Sequence, residues 1–105
     1  RVLGAADAVV FVTPEYNQSI PGVLKNAIDY LPPAAMDGKK IGLVGYSWHS
    51  AASALAHLRT VLTMFGTTVE PQLGLNLGTD FRDGALVPTP EIEEGLRAVV
   101  EALKA

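Results

Sequence analysis

Two short stretches of the chain combine an aromatic ring with small polar side chains, and these suit binding chemistry. The first is residues 13–19, Thr-Pro-Glu-Tyr-Asn-Gln-Ser, and the second is residues 47–50, Ser-Trp-His-Ser. A planar ligand needs a surface to pack on and several hydrogen-bonding groups at its edge, and both stretches offer these. Ordinary turns also favour Pro, Asn and Ser, so composition alone leaves a plain turn open. The candidate binding residues are Pro14, Glu15, Tyr16, Asn17, Ser47, Trp48 and His49.

A second kind of chemistry is suggested by residues 45–49, Gly-Tyr-Ser-Trp-His. They nearly match the G-x-S-x-G turn that exposes a nucleophilic serine between a strand and a helix. The fifth position, which must admit a sharp turn, is His49 rather than glycine. A triad also needs a histidine late in the chain, whereas the two histidines are His49 and His57. Serine hydrolysis through Ser47 is therefore a minor alternative.

The composition excludes several classes of site. The 105 residues include no cysteine, which rules out disulfides, thiolate metal sites and cysteine nucleophiles. Two histidines eight residues apart, without clustered carboxylates, predict no metal site. A net charge of −3 offers no footprint for nucleic acid or an anionic membrane. The apolar runs are far shorter than the roughly 20 residues that a membrane helix needs.

The elements that position the two stretches follow an alternating pattern. Apolar runs at residues 8–12 and 40–46 predict strands buried on both faces, and a weaker run predicts a third strand at 72–77. Helical spacing predicts a helix after each strand: one capped by Ser19, one over about 51–65, and one capped by Thr89. Residues 78–87 are predicted to form a polar loop. This β-α-β-α-β-α order predicts an α/β fold with parallel strands.

The position of the two stretches within this pattern favours a binding role. Residues 13–19 follow the first strand, and residues 47–50 follow the second. Ligands of open parallel sheets bind beyond the carboxyl ends of the strands. The two stretches are therefore expected to face each other at one edge of the sheet.

The sequence around the first stretch resembles one family closely. Residues 13–17 read Thr-Pro-Glu-Tyr-Asn, and residues 19–29 read Ser-Ile-Pro-Gly-Val-Leu-Lys-Asn-Ala-Ile-Asp. This combination is similar to the NADPH-dependent FMN reductase family, flavodoxin-like proteins that include quinone, azo-dye and chromate reductases. The resemblance continues weakly through residues 44–59 and the final helix.

The resemblance implies a flavodoxin-like three-layer α/β/α fold and an enzyme that uses FMN and NAD(P)H. Hydride would pass from nicotinamide to flavin N5, and then to a quinone, azo compound, metal oxyanion or free flavin. The backbone of residues 14–17 would line the flavin ring, with Tyr16 beside it. No side chain would be an obligatory acid or base, so no catalytic residue is assigned. A cytoplasmic homodimer or dimer of dimers is expected.

The sequence also departs from the family pattern. The family carries a phosphate-binding G-S-x-R loop after its first strand, and no such motif occurs here. The first predicted strand corresponds to the family's third, so we expect residues 1–105 to hold the C-terminal three β-α units of the domain. The second flavin loop, usually glycine-rich, contains Trp48 and His49. A non-catalytic flavodoxin-like interaction module without a cofactor is the principal alternative.

Overall fold

The computed structural model describes residues 6–65, 67–68 and 71–104 of the chain. These residues form six strands: β1 (Ala8–Pro14), β2 (Lys40–Ser47), β3 (Thr67–Thr68), β4 (Leu73–Asn76), β5 (Phe81–Arg82) and β6 (Ala85–Leu86). They also form three α-helices: α1 (Gly22–Asp29), α2 (Ala52–Leu62) and α3 (Pro90–Lys104). A 3-10 turn, Pro33–Ala35, precedes β2.

The main sheet is parallel and has β2 at its centre. Strand β1 pairs with one edge of β2 from Ala8↔Lys40 to Pro14↔Tyr46. Strands β3 and β4 both pair in parallel with the other edge of β2, β3 near its start and β4 near its end. The parallel arrangement predicted from the alternating pattern is confirmed, and the predicted third strand corresponds to β4. Pro71, which cannot donate a ladder hydrogen bond, lies between β3 and β4.

Helices cover the sheet on both faces, which confirms the three-layer α/β/α architecture. On one face, Ile41 and Leu43 of β2 pack with Ile28 of α1 and with the buried stripe of α2, namely Ala54, Leu55, Leu58 and Leu62. On the other face, Val44 of β2 and Leu75 of β4 pack against Ile92 of α3. Alternate residues of β2 thus enter opposite cores, as expected for a strand between two helical layers.

The prediction that the first strand is buried on both faces is wrong for β1. Val10 is 44% exposed and Val12 is 64% exposed. They pair with Gly42 and Val44, whose side of the sheet is covered by α3. Helix α3 contacts β2 and β4, so the Val10 and Val12 side chains lie to one side of it. Val9 and Phe11, on the opposite face, pack against the α1–α2 core.

Two further local predictions need correction. Ser19 does not cap α1, because Pro21 occupies the N-cap position without a side-chain cap bond. The segment 78–87, predicted as a loop, contains an antiparallel hairpin in which Phe81 pairs with Leu86 and Arg82 with Ala85. Asp83 and Gly84 adopt positive φ at its two-residue turn, a conformation that the Asp-Gly pair favours.

The described part of the chain contains no helix long and apolar enough to cross a membrane.

Gly74 of β4 provides a test of how tightly this layer packs. A Cβ atom added there would collide with the backbone carbonyl oxygen of Ser50, which has little room to move. We expect Gly74→Ala to lower the free energy of unfolding by about 3 kcal/mol, the cost of overpacking a close contact. Urea unfolding measures the change.

Gly22→Ala is the matched control, because nothing lies within 4 Å of the Cβ position at Gly22. It begins α1, so the substitution should be neutral or stabilise the protein by up to about 1 kcal/mol. Equal midpoints for the two variants would contradict the close approach of β4 to the second loop.

Candidate functional site

The site lies at the carboxyl edge of the sheet, where β1 and β2 end side by side. Pro14 pairs with Tyr46, and the Glu15 amide donates a further hydrogen bond to the Tyr46 carbonyl, with N and O 3.2 Å apart. The first loop (residues 13–19) and the second loop (residues 47–50) therefore start from adjacent positions. This confirms the prediction that the two strands are parallel neighbours with both loops at one edge.

The first loop ends in a tight reverse turn. The Tyr16 amide donates to the Ser19 carbonyl at 2.8 Å, and the Ser19 amide donates to the Tyr16 carbonyl at 3.0 Å. Asn17 and Gln18 lie at the tip with φ of 50° and 64°. Two consecutive residues of positive φ form a type I′ turn, which Asn tolerates better than Gln. The Asn17 and Gln18 side chains are exposed, and the Tyr16 ring is 58% exposed.

Glu15 is connected to α2 rather than to a neighbour on its own loop. Its carboxylate Oε1 accepts a hydrogen bond from the Ala54 amide at 2.8 Å, across 39 residues of sequence. Ala54 lies in the first turn of α2, where backbone N–H groups lack partners within the helix. The α2 N-cap residue, Ala51, provides no side-chain bond. Glu15 thus supplies the cap that the local sequence lacks.

Ser47 organises the second loop from within. Its hydroxyl Oγ accepts hydrogen bonds from the His49 amide at 3.0 Å and the Ala51 amide at 2.8 Å. The residue is 7% exposed. Ser50 and Ala51 follow with φ of 58° and 55°, a left-handed conformation that costs a non-glycine residue about 1–2 kcal/mol. The two Ser47 hydrogen bonds help hold that conformation.

Trp48 and His49 lie at the outside of the second loop. Both are exposed, and the Trp48 side chain is 67% exposed although it is among the largest apolar groups in the chain. The indole ring packs along Gly78, where an added Cβ would lie 3.1 Å from Trp48 Cζ3. The indole ring thus contacts Gly78 and is otherwise largely exposed.

A third loop, residues 77–80, completes the site, and the sequence reasoning missed it. Asn76, the last residue of β4, donates from its side-chain amide to the Trp48 carbonyl at 3.0 Å. The Asn76 Oδ1 accepts from the Gly78 backbone amide at 2.7 Å. The Asp80 carboxylate in turn accepts from the Asn76 backbone amide at 2.7 Å. An Asn ending a strand before a Gly-Thr-Asp turn was the available signal, but its long-range partner could not be read from it.

Several polar and aromatic groups remain for a ligand once these internal bonds are made. Among the described residues, the side chains of Asn17 and Gln18 have no hydrogen-bond partner, and neither do those of Trp48 and His49. The Tyr16 ring, in the first loop, is also exposed. By contrast, Glu15 and Ser47 already have protein partners through their side chains. The site therefore separates residues that could contact a ligand from residues that hold the loops.

The geometry does not favour the serine hydrolase alternative. The Ser47 hydroxyl is buried and accepts two backbone N–H groups, so it is not presented to a substrate. His57 Nδ1 lies 2.8 Å from Ser19 Oγ on the exposed side of α2, and this places the imidazole on a different serine. The described residues also contain no cluster of His, Asp or Glu that could hold a metal ion.

Comparison with known proteins identifies the family of the chain. A family model for NADPH-dependent FMN reductases matches residues 1–81, which include the first two strands, both candidate loops and α2. The chain belongs to the NADPH-dependent FMN reductase family. The resemblance drawn from the Thr-Pro-Glu-Tyr-Asn segment is thereby confirmed.

Individual members of the NADPH-dependent FMN reductase family show how far the similarity extends. An NAD(P)H-dependent FMN reductase of Schizosaccharomyces pombe is 32% identical over 102 residues, covering 95% of this chain and 50% of that protein. One from Pseudomonas aeruginosa is 48% identical over 63 residues, covering 55% of this chain and 34% of that protein. An Escherichia coli quinone reductase is 42% identical over 74 residues, covering 61% and 37%. The chain thus spans half or less of the length of these relatives.

A solved structure extends the same likeness to the fold. FerB of Paracoccus denitrificans, a flavoenzyme NAD(P)H:(acceptor) oxidoreductase, superposes with a TM-score of 0.76 at 28% identity. The match covers 98% of this chain and 64% of FerB. The flavodoxin-like class expected from the sequence is therefore confirmed across nearly the whole chain.

The role of Ser47 gives a test that separates a structural serine from a nucleophile. We expect no labelling of the protein by a fluorophosphonate probe, because the Ser47 hydroxyl is buried and engaged. Ser47→Ala should lower the free energy of unfolding by about 1–3 kcal/mol, since it leaves two backbone N–H groups without their acceptor.

Ser53→Ala is a suitable control. Ser53 lies in the first turn of α2, close to the second loop in the sequence, and its hydroxyl does not hold that loop as the Ser47 hydroxyl does. Labelling that disappears in Ser47→Ala but persists in Ser53→Ala would restore the hydrolase hypothesis.

Proposed function

We propose that this chain forms the flavin-ring side of an FMN-dependent NAD(P)H oxidoreductase. The observation that carries the proposal is that the family's Thr-Pro-Glu-Tyr-Asn loop and the second loop start from adjacent strands at one sheet edge. Membership of the NADPH-dependent FMN reductase family supports the class of reaction. Because the chain spans half or less of its curated relatives, the activity proposed is that of a protein in which this segment takes part.

The described residues fit the ring of FMN. An isoalloxazine ring needs an aromatic or flat surface and hydrogen-bonding groups at its polar edge. Tyr16 and Trp48 supply exposed rings, and Asn17 and His49 supply polar groups without protein partners. We therefore propose that Pro14, Glu15, Tyr16, Asn17, Ser47, Trp48 and His49 form the ring-facing wall, with Glu15 and Ser47 contributing through the loops they hold.

The same residues do not provide a phosphate site. A phosphate dianion binds to clustered backbone N–H groups at a glycine-rich turn, or to Arg and Lys side chains. The first and second loops contain neither Lys nor Arg, and no G-S-x-R motif occurs in the chain. The phosphate of FMN would therefore be held by residues outside these two loops.

FMN, when bound, would accept hydride at N5 from NAD(P)H and deliver electrons to a quinone, azo compound, metal oxyanion or free flavin. The chain's own contribution would be to bind and orient the ring through residues 14–17. The Glu15 and Tyr16 amides are already bonded to Tyr46 and Ser19, so the backbone and side-chain amide groups of Asn17 are the donors that would reach the ring. No side chain of the site is positioned as an obligatory acid or base, so we assign no catalytic residue. Relatives named quinone reductase and NADPH-azoreductase support a small-molecule acceptor.

A homodimer or dimer of dimers working in the cytoplasm is part of the same proposal. Its support is the family resemblance together with large apolar side chains that are exposed on α1, at its C-cap and beyond the end of α2. These are Val23, Tyr30 and Met64, each at least 79% exposed. The competing proposal is a non-catalytic flavodoxin-like module without a cofactor.

Trp48 gives a direct test of the reductase proposal. If its ring supports an aromatic substrate, Trp48→Ala should raise KM for a quinone by up to about tenfold, the value of one aromatic stacking contact. The assay follows NADPH or NADH oxidation by the FMN-loaded protein. Val100→Ala, which truncates a 45%-exposed apolar side chain on α3, is the control and should leave KM unchanged.

The FMN content and NAD(P)H oxidation of the purified protein separate the reductase proposal from the non-catalytic proposal. A purified protein that is colourless, retains no FMN and leaves NAD(P)H unoxidised would favour the non-catalytic module. A yellow, active protein in which Trp48→Ala keeps its KM would retain the reductase but remove Trp48 from the substrate site.

Residues 1–105 alone are expected to bind FMN weakly. A phosphate loop makes several charge-assisted hydrogen bonds worth about 1.5–3 kcal/mol each, and losing three weakens binding by roughly 5 kcal/mol. That is over a thousandfold in Kd. Titration of FMN into the isolated segment, followed by flavin fluorescence, measures this. Quenching at submicromolar concentrations would show that the ring loops suffice.

A further inference from the structure

The first loop is attached to α2 at two points, one near each of its ends. Glu15 Oε1 accepts from the Ala54 amide at 2.8 Å, and Ser19 Oγ lies 2.8 Å from His57 Nδ1. Ala54 and His57 are three residues apart on α2, so they lie on one face of the helix. Residues 15–19 therefore cross the first turns of α2, and the helix is a second support for the loop besides the end of β1.

These attachments hold a backbone that is costly to form. Asn17 and Gln18, between the two attachment points, both have positive φ. Conformations of this kind persist only where the surrounding structure determines them. The Ser19–His57 bond is exposed, so water competes for both groups. The Glu15 bond is part-buried and pairs a carboxylate with the N-terminal end of a helix, which strengthens it.

Glu15 also joins the two loops of the proposed flavin wall. Its amide bonds to Tyr46 at the end of β2, while its carboxylate bonds to the helix that follows the second loop. The second loop lies between Tyr46 and α2 in the sequence. Its Ser47 hydroxyl accepts a hydrogen bond from the Ala51 amide just before α2. A displacement of α2 would thus be transmitted to both loops through Glu15.

We propose that Glu15 is a positioning residue, which sets the first loop against α2 and thereby fixes the distance and angle between the two flavin-facing loops. The proposal rests on the proposed function, because it assigns Glu15 to the geometry of that site. It gives the carboxylate an indirect role, in which the group touches neither flavin nor substrate. The function of the acid is to cap α2 from the first loop.

The test compares Glu15→Ala and Glu15→Gln with a matched cap deletion at another helix. Glutamine keeps an oxygen that can accept from the Ala54 amide, whereas alanine removes the acceptor. Thr89→Ala is the control, because Thr89 Oγ1 accepts from the Ile92 amide at 3.3 Å and caps α3. All variants are made in the full-length protein that carries this segment.

The first measurement needs no cofactor. Amide hydrogen exchange of the apoprotein should show faster exchange at Ala54 and at residues 16–19 in Glu15→Ala, with near-normal exchange in Glu15→Gln. Thr89→Ala should accelerate exchange at the start of α3 and leave those amides unchanged. Unchanged exchange at Ala54 and residues 16–19 in Glu15→Ala would overturn the proposal.

The second measurement is FMN titration with the flavin absorption spectrum recorded. Glu15→Ala should raise the Kd for FMN by about tenfold or more and shift the bound flavin bands, while Glu15→Gln restores the wild-type spectrum. Thr89→Ala should keep the wild-type Kd and spectrum despite its lower melting temperature. A wild-type Kd in Glu15→Ala, or an equal weakening in Thr89→Ala, would overturn the proposal. Failure of the wild-type protein to bind FMN would overturn the proposed function, and hydrogen exchange would still decide the attachment of the loop.

Discussion

The parallel pairing of β1 with β2 is the constraint on which the candidate site depends. The ladder runs without a bulge from Ala8↔Lys40 to Pro14↔Tyr46, so both strands reach the carboxyl edge together. Side chains alternate across a strand, so a slip of one residue would turn every side chain to the opposite face. The same register that buries Ile41 and Leu43 in one core therefore places the two loops side by side. Packing of the core and placement of the site follow from one set of hydrogen bonds.

Close packing at the same edge explains why the loops have little freedom. An added Cβ at Gly45 would lie 2.7 Å from Ala51 Cβ, and one at Gly74 would collide with the Ser50 backbone. The start of α2 and the residues before it thus press directly on β2 and β4. Protein interiors packed at this density do not deform continuously, so the second loop can take few alternative positions. This fixes the carbonyl of Trp48 where the Asn76 side chain can reach it.

The hydrogen bonds within the site distinguish residues that hold the loops from residues that remain available to a ligand. Glu15 and Asn76 direct polar atoms to backbone groups of other segments, and Ser47 directs its hydroxyl to the backbone of its own loop, which removes these atoms from contact with a ligand. Left-handed backbone at Asn17, Gln18, Ser50 and Ala51 lies next to these bonds. Strain of this kind is retained where surrounding contacts determine it, and such positions cluster at functional sites. The side chains of Tyr16, Trp48 and His49 make no such bonds among the described residues, and they are exposed.

The sequence by itself predicted the order of β1, β2, β4 and the three helices, the parallel pairing and the edge at which the two loops meet, but not the short strands β3, β5 and β6. Apolar runs and helical spacing are local signals, and they carry this information because burial is the dominant favourable term in folding. The family motif at residues 13–29 added the class of cofactor. The local sequence also predicted the Thr89 cap, because Thr89 and Ile92 are only three residues apart.

Tertiary structure alone decided the long-range partners of the polar side chains. Ser19 was a plausible helix cap by its position, but the turn at Asn17 and Gln18 and the Pro21 N-cap direct it to His57 instead. Glu15 acquires its role from an amide 39 residues away, which no local pattern specifies. The exposure of Val10 and Val12 likewise depends on where α3 lies across the sheet. Hydrogen bonds between distant segments, and the covering of a strand by a distant helix, exist only once the layers have packed. The spacing of residues in the sequence therefore does not encode them directly.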